Sequence, residues 1–193
     1  MASVTRNPRP LFVTTLPAGY DGQEVFYQST TAGTGGGSTD TMATVGAVWH
    51  LRYRAAGGTY KWEFVGGSAS GQDISTAQTK AVAGAFTDLA TVGPLITVPL
   101  AGDYDVTYGA QVSGDNADRN TGFNLNKNGT QLEFAYAHAS YSATDGATGS
   151  TATAIGRYTL AASDVLKIQY YSAISIAPSF SYRRIRLVPI RVG

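Results

Sequence analysis

The chain has 193 residues, 43% of them hydrophobic and 11% aromatic, which are values of a globular protein and exclude a disordered or fibrous one. Only 14% are charged and the net charge is +1, so no global field draws the chain to DNA, RNA or an anionic membrane. Absence of cysteine excludes disulfides and thiolate metal sites, and no apolar run reaches the ~20 residues of a membrane helix. The opening residues 1–10 lack the apolar centre of a signal peptide, so synthesis in a cytoplasm without export is the expectation.

Strand signals begin with Glu24–Gln28, directly after the turn Asp21-Gly22. The Gly-rich stretch 31–41 lacks the Gly-Lys-Ser/Thr ending of a phosphate loop and reads as a flexible hairpin connection. Between Ala47 and Gly66 lie both tryptophans, interleaved with basic residues as a nucleic-acid or sugar surface would be. Period two sorts them differently. Trp49, Leu51 and Tyr53 fall on one face and His50 and Arg52 on the other. Across the turn at 55–58, Tyr60, Trp62 and Phe64 share a face opposite Lys61 and Glu63. Pairing the two strands aligns the aromatic rows, and these six residues are expected to form the core of a small β-sheet domain, residues 1–66, that docks onto a neighbour. Residues 67–76 read as a Gly/Ser-rich linker. Helix is not expected at 75–86, where Gly84 interrupts an Ala-rich run without an apolar stripe.

Residues 77–193 have another rhythm. Leu95–Val98 stops at Pro99, and Tyr104, Val106, Tyr108, Ala110 and Val112 then alternate cleanly. Asn128-Gly129, between 122–126 and 131–136, is a strong hairpin signal. Further strands are expected at 151–160, 165–171 and 180–192. Such spacing without helix predicts an all-β protein whose second part is an antiparallel jelly-roll β-sandwich.

Chemistry-bearing residues are sparse. His50 and His138 are the only histidines, and His138 with Ser140 and Asp145 has no nucleophile elbow to make it a triad, so catalysis is not expected. Asp103 and Asp105 share a strand face, and Asp115, Asp118 and Asp145 lie in loop-like stretches, but no formed Ca²⁺ loop is present; neither metal nor cofactor is expected. Arg183, Arg184 and Arg186 suit either a nucleic acid or charge pairing at a sheet or subunit surface, and the small net charge favours the second. Tyr136, Tyr141, Tyr170, Tyr171 and Tyr182 suit either a subunit interface or sugar rings. Asn128-Gly129-Thr130 matches a glycosylation acceptor, but it sits in a hairpin turn.

Two stretches carry a family resemblance. Leu16-Pro17, Tyr20–Gln28, Trp49–Tyr53 and Tyr60–Gly67 resemble a segment recurring in minor tail and tail-tip proteins of tailed bacteriophages, with a longer Gly-rich insert at 31–41. Val98–Val106, Phe123–Thr130, Gly156–Leu160, Asp164–Gln169 and Ile185–Leu187 resemble the jelly roll of the C1q and tumour-necrosis-factor type. The resemblance implies a virion structural protein and a homotrimer, with other tail or capsid proteins as partners. It also implies contact with a host cell-surface glycan through loops at 114–121 and 139–149, without nucleic-acid binding or membrane insertion. A capsid decoration or head-fibre role is the alternative, and a polysaccharide-cleaving tail enzyme would need paired carboxylates that this sequence does not offer.

Overall fold

The structure, a computed structural model, describes residues 10–30, 47–81, 84–113, 121–133, 150–172 and 178–193. Among the described residues every regular element is a strand. They are β1 (Leu11–Val13), β2 (Glu24–Gln28), β3 (Val48–Tyr53), β4 (Trp62–Gly67), β5 (Ser70–Ile74), β6 (Gln78–Thr79) and β7 (Leu95–Thr97). The remainder are β8 (Gly102–Ser113), β9 (Thr121–Lys127), β10 (Thr130–Glu133), β11 (Ser150–Leu160), β12 (Val165–Ser172) and β13 (Ser179–Val192).

Two sheets pack as a sandwich. The larger runs β1-β2-β3-β4-β13-β8-β11, with β5 and β6 also on β13; the smaller runs β10-β9-β12-β7. Setting aside β1 to β4 and the short β6, eight strands remain. In chain order they stand first-eighth-third-sixth in one sheet and second-seventh-fourth-fifth in the other. That is the jelly-roll order, so the expected fold class is the one observed. Alternation explains the layers. Tyr104, Val106, Tyr108, Ala110 and Val112 of β8 face Phe123 and Leu125 of β9 and Leu166, Ile168 and Tyr170 of β12 in one buried cluster. At the β9–β10 hairpin Asn128 and Gly129 both take positive φ, 51° and 90°, as the Asn-Gly signal requires.

The expected division into residues 1–66, a linker and residues 77–193 does not describe what the chain does. Residues 70–74, inside the expected linker, form β5 and pair with β13 from Arg183 to Leu187. Two of its three inward side chains, Ser70 and Gln72, are polar, which hid the strand; the third is Ile74. Gln72 is buried and its Oε1 accepts the Leu95 amide at 2.7 Å, tying β5 to β7. The N-terminal strands join the same sheet, because Trp62 and Glu63 pair with Val192 and Arg191. They also share the core: Trp49 is fully buried and its ring centroid lies 6.2 Å from that of Tyr104. Trp49 Nε1 donates to the Ser68 carbonyl at 3.0 Å, so burial leaves no unpaired indole N–H.

β13 departs from simple alternation twice. Its pairing with β8 shifts register between Ser181 and Arg184 and again between Pro189 and Arg191. A bulge of one residue reverses which parity faces the core. Phe180 therefore points inward, and after the first bulge so do Arg183, Ile185 and Leu187. Pro189, which has no N–H to give the ladder, stands beside the second bulge. Where β8 begins, a Cβ on Gly102 would run into the Arg191 carbonyl, so this crossing needs glycine.

Since one core serves both halves, unfolding in denaturant is expected to be a single transition by tryptophan fluorescence and far-UV circular dichroism. Trp49→Ala should destabilise the whole chain by about 3–5 kcal/mol. Two separated transitions, with only the first moved by Trp49→Ala, would mean independent domains.

Candidate functional site

The outer face of the large sheet carries the polar chemistry. Register sets Glu24 beside Arg52, Arg52 beside Glu63, Glu63 beside Arg191 and Arg191 beside Asp103. Charge thus alternates across β2, β3, β4, β13 and β8. Arg52 Nη2 lies 2.6 Å from Glu24, Arg191 Nη2 3.2 Å from Glu63, and Arg54 Nε 3.0 Å from Glu63. Thr159 Oγ1 donates to Asp103 at 2.6 Å, while Arg157 pairs with Asp105 at 2.9 Å. These two aspartates are engaged by side chains of β11. Among the described residues no group of three metal-binding side chains converges.

Beside this row lies an aromatic one. Phe12, Phe26 and His50 occupy successive register positions, with centroids 5.0 Å apart for the two phenylalanines and 4.9 Å for Phe26 and His50. Phe12 is 65% exposed and its neighbour Leu11 64%. This is an apolar patch on the edge strand of the N-terminal part. His50 Nε2 and Glu24 Oε2 are 3.1 Å apart, so the imidazole joins the charged row to the aromatic one.

At the other end of β13 the same face sinks into a depression of about 200 Å³ lined by Gly109, Ala110, Gln111, Thr151, Thr153, Tyr182 and Arg184. Tyr182 is 59% exposed and has φ 46° at the first bulge, a strained conformation for a bulky residue. Gly109 makes the floor. A Cβ there would stand 2.6 Å from the Ala152 carbonyl oxygen. Further along β11, Ile155 is 73% exposed opposite Thr107.

The aromatic and aliphatic residues singled out in the sequence are scattered among several roles. Trp49, Leu51 and Trp62 are buried; Tyr53 and Phe64 pack partly buried against them, and Tyr60 is half-buried before β4 begins. Tyr53 and Trp62 meet edge to face at 5.3 Å. Tyr170 is not available to a sugar or a second subunit: it is fully buried, donates to the Gly93 carbonyl at 3.0 Å and lies under the Arg183 guanidinium. Burial away from water pushes its hydroxyl pKa up, with Arg183 opposing. Tyr171 is half-buried against Phe86, and Tyr182 is the exposed one. Tyr136, Tyr141, His138, Ser140, Asp145, Asp115 and Asp118 lie outside the described residues, as do the Gly-rich stretch 31–41 and most of the loops at 114–121 and 139–149.

The three clustered arginines part company. Arg183 is buried, with Nη1 donating to the Thr91 and Gly93 carbonyls at 3.2 Å each. Arg186 holds Asp73 at 2.6 Å. Arg184 is exposed without a carboxylate partner among the described residues. Leu11, Phe12, Ile155 and Gly109 carried no sequence signal of exposure or depression. Only the pairing partners of β1 and β11 decide those.

No family model matches the chain, and no curated protein matches it. Among solved structures a match is the dimeric latent PorU from Porphyromonas gingivalis, at TM-score 0.30 and 11% identity. It covers 72% of this chain, which spans 14% of that one. A likeness so slight carries no argument about function.

Glu24 offers a check on the charged row. Hydrogen bonds from Arg52 hold its carboxyl below the ordinary 4.5; partial desolvation opposes this and His50 adds to it. A carboxyl depressed in the folded state contributes stability that is complete above its unfolded value and is lost as pH falls through the folded one. Urea midpoints should therefore fall on acidification below 4.5. Glu24→Gln should start lower at neutral pH and lose less on acidification; equal acid losses in the two proteins would remove Glu24 from the account.

Proposed function

We propose that the chain is a non-enzymatic structural protein of a tailed-phage virion, a minor tail or fibre protein. Its N-terminal strands dock onto a virion neighbour, and its jelly roll trimerises and meets the host surface. The observation that carries this reading is the arrangement along β13. The N-terminal strands join at Arg191 and Val192, while the depression with Tyr182 and Arg184 lies at the opposite end of the same strand. At ~3.3 Å per residue the separation is about 30 Å. One rigid sheet thus holds two contact surfaces apart, as a docking spacer must.

Support for each contact is physical. Exposed Leu11 and Phe12 offer the N-terminal edge an apolar patch for a neighbouring protein. Exposed Ile155 on β11, the last strand of the sheet path, is surface that a second copy would cover. The loops 114–121 and 139–149 depart from the strand ends nearest the depression, so the face and those loops would address the same target. In a trimer, three weak sites would act together, which multiplies affinity without stronger individual contacts.

Light scattering on the purified chain should give three subunits, and a stable monomer would sink the trimer. Labelling on intact virions should place the protein on the tail; a label on the head would replace the tail reading with capsid decoration. Saturating protein should block phage adsorption, and unchanged adsorption would remove the host-contact role.

A further inference from the structure

We propose that the depression between β8, β11 and β13 binds one carboxylate-bearing sugar ring, so that the ligand is an acidic saccharide. The inference rests on the host-contact reading and names its ligand class. Three features converge. Tyr182 offers an open aromatic face at the rim, held there at a positive φ, an outlier for a bulky residue. Gly109 adds no side chain to the lining, and the space of about 200 Å³ suits one small ring. Arg184 brings a full positive charge.

Arg184 decides the class of ligand. Each of Arg52, Arg54, Arg157, Arg186 and Arg191 already holds a carboxylate on this sheet. Arg184 faces the depression without one among the described residues, and a guanidinium fork matches a carboxylate in two parallel hydrogen bonds. The rest of the lining suits hydroxyls. Thr151 and Thr153 can donate or accept, and Gln111 has its NH₂ to offer, since its Oε1 takes the Ser181 hydroxyl at 3.2 Å. A nucleic acid would need several such cations in a row, and neighbouring Arg186 is already bound to Asp73. Among the described residues the site has one cation without a carboxylate, one flat face and several hydroxyl partners. That combination fits a uronic-acid type of ring.

The test is nuclear magnetic resonance titration of the full chain with methyl β-D-glucuronide, methyl β-D-glucoside and glucose 6-phosphate. Glucuronide should bind best and perturb the Thr153, Tyr182 and Arg184 amides. Arg184→Gln should weaken glucuronide by about tenfold or more and leave the glucoside unchanged, with Arg184→Lys restoring part of the loss. Tyr182→Gly, which relieves the backbone strain, should weaken both sugars while the spectrum stays folded. Equal binding of glucuronide and glucoside, tighter binding of the phosphate, or full binding by Arg184→Gln would each overturn the proposal. Adsorption blocking by a protein that ignores glucuronide would leave host contact standing and refute the acidic sugar. Glucuronide binding without adsorption blocking would do the reverse.

Discussion

The structure hangs on both edges of β13 being paired at once. One edge takes β8 along almost its whole length; the other takes β6, β5 and β4 in succession. A buried strand cannot leave backbone N–H and C=O groups unpaired, so its partners must follow its course. That is why residues 62–79, of which 67–76 read as linker, lie as three short strands against it. The two bulges let one strand serve partners of different parity. The first turns Arg183 inward, where its guanidinium takes the carbonyls of Thr91 and Gly93 and stacks on Tyr170. Nε and Nη2 find no acceptor among the described residues, so this cation is held by carbonyls and an aromatic face, without a counter-charge. Such a residue is costly to bury and fixes the course of the 91–93 segment.

The alternating charges on the outer face act on register more than on energy. Exposed ion pairs contribute little individually and are screened by salt. Sliding β3 by one residue against β2 would nevertheless carry Arg52 away from Glu24 and expose Trp49 and Leu51 to water. Both penalties fall on the same slip, and together they pin the pairing. The N-terminal strands need this, because only two residue pairs join β4 to β13.

Much of the fold was legible in the residues. Clean alternation at 104–112 and 165–171 and the Asn128-Gly129 turn mark strands and hairpin because their side chains answer to one core and one turn geometry. Trp49, Leu51 and Trp62 sort inward by the same rule. The sequence misleads where pairing, not side-chain chemistry, determines the structure. Ser70, Gly71 and Gln72 are polar or small yet buried, because β13 pairs with their backbone and the Leu95 amide donates to Gln72. Tyr170 reads like any surface tyrosine, since nothing local announces that Gly93 and Arg183 will meet it. The candidate site was half visible: Tyr182 and Arg184 stood out by type, but only strand pairing brings Gly109, Thr151 and Thr153 beside them.

The strand that joins everything is also the last of the thirteen to be synthesised. Until residues 179–192 leave the ribosome, β5 and β6 have no edge to lie on, β4 has only β3, and β8 has only β11. The most distant pairing, Val192 with Trp62, spans most of the chain. Folding dominated by such non-local contacts is slow, because the entropy of closing large loops must be met before they give any return. During that interval the aromatic strands around Trp49 and Trp62 are made but uncovered, so the nascent chain passes through a window of stickiness that ends only when β13 is threaded between its neighbours.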